Sequence, residues 1–175
     1  VLQGSVYVTT PCLHELMARG IPVTWTSFGG WFLGHTVGLG HRNVELRTAQ
    51  YRASFDERAC LRLAKGFVVA KIRNQRTLLR RNWKAGECPD ALLEEFRRDT
   101  ELAERSASLA QLLGAEGSAA ARYFRHFRNI LSRPDDERDL AFDFERRNRR
   151  PPADPVNALL SYAYSLLVRA FSVAL

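Results

Sequence analysis

A single carboxylate, Glu116, lies between Gly114 and Gly117 in the stretch LLGAEGSAAARYF of a strongly basic chain. Hard divalent cations take carboxylate oxygens, and nucleases use such ions to polarise a phosphoryl oxygen. One carboxylate is not a metal site, and a simpler reading is available. Free backbone N–H groups at a helix N-terminus favour negative charge, so the stretch predicts a helix over 116–131 with Glu116 at its mouth. Basic groups follow on the same segment. Arg122, Arg125 and Arg128 interleave with Tyr123, Phe124 and Phe127, a mixture that suits nucleic acid, where guanidinium meets phosphate and rings stack on bases. The phenylalanines, with Leu131, fit a core stripe equally well, and we assign them there.

Two further cationic clusters stand out. Residues 71–84 hold Lys71, Arg73, Arg76, Arg80, Arg81 and Lys84 with no acid among them. At helical spacing Arg73, Arg76, Arg80 and Lys84 share a face. Such a stripe can track a phosphate backbone or be merely solvated. The amides Asn74 and Gln75 inside it gain little locally and predict a partner. The second cluster is Arg146, Arg147, Arg149 and Arg150, followed by Pro151 and Pro152. Four guanidinium groups crowded into one loop repel each other unless an anion neutralises them, which makes this the firmest generic pointer to a polyanion.

Composition supports that partner class. The chain has 175 residues, 26 basic and 19 acidic, for a net charge of +7. Residues 1–45 carry two of each sign (Arg19, Arg42; Glu15, Glu45), so the other 130 residues hold 24 basic and 17 acidic groups and the whole excess. A hydrophobic share of 46% excludes a disordered chain. Cys12, Cys60 and Cys88 show neither metal nor disulfide spacing, which fits a reducing cytoplasm. The opening VLQGSVYVTT reads as a strand, not as a secretory leader. The missing initiator Met and a final apolar helix that stops without a cap predict a piece of a longer protein. That last helix, broken by Arg169 and softened by serines and tyrosines, reads as buried in protein, with no membrane span.

The elements that must position these groups divide the chain in two. Residues 1–45 read as the end of a small β-domain. GSVYVTT and IPVTWTS are strands, FGGWFLGHTVGLG a turn-rich strand pair, and TTPCLHELMARG a helix with Thr10 as N-cap, Pro11 first and Gly20 at its end. Residues 46–175 read as α-helical, with helices over about 57–83, 90–114 and 116–131, then a polar loop. A last helix starts near Pro155 with Asp154 as its cap. The expected class is α+β.

GAEGSAAARYF, AKIRNQRTLLRR and RRPPADPVNALLSYAYSLL together resemble the CRISPR-associated spacer-acquisition integrases, the Cas-one family. GIPVTWTSFGGWFLG is similar to the end of that family's N-terminal β-domain. The resemblance implies a β-domain used for dimerisation and an all-α catalytic domain, here lacking its C-terminal portion. It implies a homodimer, paired with a small ferredoxin-like Cas-two subunit, that inserts short DNA duplexes into a repeat array. A Cas-four-like nuclease, fused or separate, would be a further partner. By the same resemblance Glu116 is the first of three ligands of Mg²⁺ or Mn²⁺, the histidine and aspartate lying beyond this chain. The implied reaction is transesterification: a 3′-hydroxyl of the incoming DNA attacks a phosphodiester at the repeat boundary. Tyr123, Asn157 and Tyr162 are candidate neighbours of the site, with packing an equal alternative. A non-catalytic DNA-binding and dimerisation copy within the complex is the competing function.

Overall fold

The computed structural model describes residues 1–39, 44–84, 86–131, 144–148 and 151–174. The structure resolves into two compact units: Val1–Tyr51 joined by the residues from Ser172, and Arg52–Phe171.

The first unit contains a three-stranded sheet with a helix between its first two strands. β1 (Leu2–Gln3) runs parallel to β2 (Val23–Thr26), which pairs antiparallel with β3 (Phe32–Thr36). The strand expected through GSVYVTT stops at Gln3. Gly4 turns the chain with φ +71°, and Tyr7 is almost fully exposed. The predicted turn between the later strands is present: Gly30, at φ +81°, donates to Ser27 O at 2.9 Å. Across the hairpin Trp25 Nε1 donates to Thr36 Oγ1 at 2.8 Å. α1 (Thr10–Ala18) has Pro11 in its first turn, but its N-cap is Thr9, one residue before the expected Thr10, and no side chain caps it. Gly38 packs so closely on α1 that an added Cβ would stand 2.4 Å from Met17 O.

α2 (Val44–Ser54) lies mostly in the first unit and crosses the boundary at Tyr51, and the second unit is helical. α3 (Glu57–Asn82) starts at Asp56, whose side chain accepts from Arg58 N and Ala59 N, and it buries Ala59, Ile72, Gln75 and Leu79. α4 (Asp90–Arg105) and α5 (Leu109–His126) pack on it and on each other, with Phe96, Ala103, Leu112, Ala115 and Ala119 closing the core. A short 3-10 turn, Phe127–Ile130, ends this helical run. α6 (Pro155–Ala174) adds Val156 and Leu160 to the core at its first turns.

The helix boundaries between 90 and 131 differ from those expected. The break falls at Ser106–Ser108 and not at Gly114, because Ser108 Oγ accepts from Gln111 N at 3.2 Å and Gln111 Oε1 accepts from Ala107 N at 2.8 Å. Two glycines alone do not end a helix when no residue takes a positive φ there, and neither does. Glu116 therefore lies in mid-helix, not at a helix mouth.

Candidate functional site

Glu116 projects from α5 toward α3, where Lys71 Nζ donates to its Oε1. The glutamate side chain is 24% exposed and the lysine 45%. Both line a pocket of about 420 Å³ between the two helices, whose other walls are Ala64, Phe67, Val68, Leu109, Leu112 and Leu113. The setting is apolar apart from the ion pair, and the carboxylate keeps partial access to water. Gly114 and Gly117 flank it with nothing within 4 Å of where a Cβ would stand. Neither fold geometry nor packing asks for glycine at these positions.

The arginines separate into two groups. Several that sequence periodicity placed on cationic faces are held by the protein. Arg122 Nε donates to Glu95 Oε2 at 2.7 Å, its NH1 pairs with Asp99, and its guanidinium lies 5.9 Å over the Phe96 ring. Arg73 pairs with Glu104 at 2.8 Å, and Arg76 Nε donates to Leu93 O at 3.0 Å. Arg73 and Arg76 thus serve the α3–α4 packing and do not form an open stripe with Arg80. Arg147 is also engaged: it donates to Asn157 Oδ1 at 2.8 Å and Ser161 Oγ at 3.1 Å, and stacks 5.7 Å from the Tyr164 ring centroid. Arg80, Arg125, Arg128 and Arg146 are exposed, with no acid paired to their side chains among the described residues. Arg149 and Arg150 lie outside the described residues.

The three candidate neighbours differ in setting. Tyr123 is buried beside Phe124 and Phe127, and burial, with a smaller contribution from Tyr164, pushes its pKa up to about 12. Asn157 is fully buried and ties the segment 146–148 to α6. Its Nδ2 donates to Arg146 O at 2.9 Å, and its Oδ1 accepts from Asn148 N at 3.0 Å. Asp154 caps α6 as expected, accepting from Asn157 N at 2.7 Å. Burial raises its pKa, but the hydrogen bonds from Asn157, Asn148 and Val156 outweigh that and hold it below its ordinary value. Tyr162 is exposed. Among the described residues the buried Gln75 Oε1 has no hydrogen-bond partner, against expectation, and Asn74 faces water.

The family described as CRISPR associated protein Cas1 matches residues 1–175. The chain belongs to the Cas1 family. It is 55% identical to a CRISPR-associated exonuclease Cas4/endonuclease Cas1 fusion of Geobacter sulfurreducens, covering 99% of this chain and 32% of the relative. It is 37% identical to a CRISPR-associated endonuclease Cas1 of Thermus thermophilus, covering 100% of this chain and 49% of the relative. Among solved structures it matches a CAS1 protein from Thermotoga maritima with TM-score 0.73 and 25% identity, over 97% of this chain and 51% of that one. A Cas6-RT-Cas1–Cas2 complex gives TM-score 0.68 at 28% identity, over 98% of this chain and 18% of that one. The chain spans between about a third and a half of the length of these curated relatives. Its α+β architecture, a small sheet ahead of a helical remainder, is that of the Cas1 structures.

No group of three or more His, Cys, Asp or Glu able to hold a metal occurs among the described residues. His126, ten residues further along α5, lies about 15 Å away at the rise of a helix. One hard oxygen donor, already held by an ammonium, does not make a divalent-cation site by itself. Sequence reasoning overlooked Lys71 and Asp99 as site-shaping groups. Each had a legible signal: a charge on an apolar row (Ala64, Val68, Lys71; Leu92, Phe96, Asp99) must meet an opposite charge on the neighbouring helix. No helix among the described residues is long and apolar enough to cross a membrane.

Proposed function

We propose that the polypeptide containing this chain is a CRISPR adaptation integrase, a metal-dependent DNA endonuclease and transesterase that inserts short duplexes into a repeat array. The observation that carries the reading is the setting of Glu116 in a chain of this family. A half-shielded carboxylate stands on mid-helix between two glycines that the fold does not need. Glycine in a helix interior is roughly 1 kcal/mol less favourable than alanine, so bare backbone on both sides of an acid favours close approach by a bulky ligand. In the transesterification a 3′-hydroxyl oxygen bonds to phosphorus as the bond to the departing 3′-oxygen breaks. One phosphodiester replaces another, and no external energy source is needed. Glu116 supplies one carboxylate to a Mg²⁺ or Mn²⁺ ion whose remaining protein ligands, a histidine and an aspartate, come from outside the described residues. Arg80, Arg125, Arg128 and Arg146 are the side chains open to phosphate, and double-stranded DNA is the partner they suit.

Relatives supply the expected assembly. The Geobacter relative is named as a Cas4/Cas1 fusion and one matching structure as a Cas1–Cas2 complex, and we extend both associations to this protein, with a homodimer at the centre and a cytoplasmic location. The test is Glu116→Gln in the full-length polypeptide, assayed for strand transfer into a repeat-containing duplex and for duplex binding by gel shift. The expected outcome is a loss of strand transfer of at least 100-fold, on the scale of a removed metal ligand or its supporting contact, with binding retained. Unchanged strand transfer would remove the catalytic role and leave a DNA-binding copy.

A further inference from the structure

We infer that the side-by-side C-terminal ends of α3 and α5 form one phosphate-binding face for duplex DNA, and that His126 takes up a proton there as phosphate arrives. The inference rests on the DNA-binding part of the proposed function and makes no use of a metal.

The register of the two helices sets the geometry. The groove residues of α3 at 64, 67, 68 and 71 face those of α5 at 109, 112, 113 and 116, the same set 45 positions later. Past the end of α3, Lys84 N donates to Asn129 O at 2.9 Å with the same offset. The helices therefore run parallel, and their C-terminal ends lie level. That brings Arg80, Arg81 and Lys84 beside Arg125, His126 and Arg128. The rings of Trp83 and His126 stand 6.1 Å apart across the two ends.

Five permanent cations meet here, Arg80, Arg81, Lys84, Arg125 and Arg128. All are exposed, and none is paired with an acid among the described residues. Cations at helix C-termini answer the dipole, but each dipole amounts to only about half a negative charge. Two ends together call for about one cation. The excess repels itself until an anion neutralises it, and a phosphate backbone is the anion that spans several such groups.

His126 is the one titrating member. Its ring is half-buried, and no described residue hydrogen-bonds to it. Burial, then Arg125, with smaller contributions from Arg122 and Arg128, holds its pKa below the ordinary 6.5. Glu95 of α4 opposes them, but that carboxylate is engaged by Arg122. The charged groups that α3 brings to this end, Arg80, Arg81 and Lys84, are all positive. The ring is therefore neutral near pH 7 in the free protein. Phosphate at this face offsets the arginines and favours the imidazolium, which takes its proton from solvent and donates an N–H to a phosphate oxygen. A group that gains proton affinity on binding makes binding tighter as pH falls.

The experiment uses the full-length polypeptide and a fluorescent duplex, with binding read by anisotropy. From about pH 7.5 to about pH 5.5, wild-type affinity should rise about 3- to 10-fold more than that of His126→Gln, within the limit of about tenfold per pH unit for one proton. His126→Arg, a permanent cation, should show the same shallow pH dependence as His126→Gln while binding more tightly throughout. Calorimetry at about pH 6.5 in two buffers of different ionisation enthalpy counts the proton directly, and wild type should take up more than His126→Gln, by up to about one. Arg81→Ala/Lys84→Ala should flatten the slope of log affinity against log salt by about 1.8. Arg58→Ala/Arg62→Ala, at the opposite end of α3 and about 30 Å away by helical rise, should leave it unchanged. Equal pH dependence and equal proton uptake in wild type and His126→Gln would overturn the inference, as would a salt slope that Arg81→Ala/Lys84→Ala leaves unchanged. In both cases wild type still binds the duplex and the DNA-binding reading stands. A wild type that binds no duplex at any pH would remove that reading, and the inference with it.

Discussion

Arg122 and Asn157 show how a polar side chain singled out for chemistry can be absorbed by the fold. Arg122 sits between Glu95 and Asp99 with its side chain 24% exposed, and Asp99, at 10%, would be a buried unpaired charge without it. Asn157 uses donor and acceptor alike to fasten backbone, so its amide has no capacity left for a substrate. Tyr123 makes the point quantitative. Its phenol titrates near 12 in the folded chain against 10.0 for the free group, because burial disfavours the phenolate and Tyr164 lies close by. The folded state thus binds this proton more tightly than the unfolded one. The contribution is fully present below pH 10 and is lost as pH rises through the folded value. Between pH 9 and pH 11 wild type should lose about 1 kcal/mol of stability relative to Tyr123→Phe, read as a narrowing gap in urea midpoints. A gap constant across that range would show Tyr123 to be solvated and open to the site.

On the scale of elements, α5 governs the site, and its reading from sequence was only half right. Hydrophobic periodicity located α3 closely, since a row from Leu61 to Leu79 repeats over about five turns and outweighs the lone Gly66. In α5 the same logic was overridden by the glycines, which look like punctuation in a sequence. Helix breaks are decided by who satisfies the free N–H groups, and Ser108 with Gln111 does that eight residues before Glu116. The first strand failed for a related reason: β-branched residues favour a strand only where a partner offers its edge, and Gly4 turns the chain away. That Lys71 and Asp99 need an opposite charge was legible, but which residue supplies it was not, because that depends on which helices meet, which no local pattern reports. The glycines then become a test of their own. Gly114→Ala and Gly117→Ala meet nothing within 4 Å, so each should stabilise the chain by up to about 1 kcal/mol and raise its Tm by a few degrees. If bare helix is kept for the approach of DNA, each should also lower strand transfer at least tenfold. Stabilisation with full activity would mean that nothing approaches that face.

For the molecule as a whole, the net charge of +7 overstates what is available to a polyanion. Counter-ion release counts only those cations that reach phosphate, and Arg122, Arg147 and Arg76 are committed to internal contacts. Arg73 is intermediate, because its bridge to Glu104 joins groups 64% and 48% exposed, a pair that a phosphate can displace at small cost. Arg125 and Arg128, exposed at the end of α5 and in the turn after it, have no acid paired to them among the described residues and are the side chains that the proposed reading sets against phosphate. The slope of log affinity against log salt separates these cases where affinity at one salt concentration does not. Each phosphate contact adds about 0.9 to the magnitude of that slope for duplex DNA. Replacing Arg125 and Arg128 together by alanine should therefore flatten it by about 1.8, measured by fluorescence anisotropy between roughly 50 and 200 mM salt, equally for any duplex sequence. Replacing Arg76 should leave the slope within error of wild type, although it weakens the α3–α4 contact. If the Arg125/Arg128 line runs parallel to wild type, the duplex does not pass over this end of α5, and the phosphate track must be sought on Arg80 and Arg146.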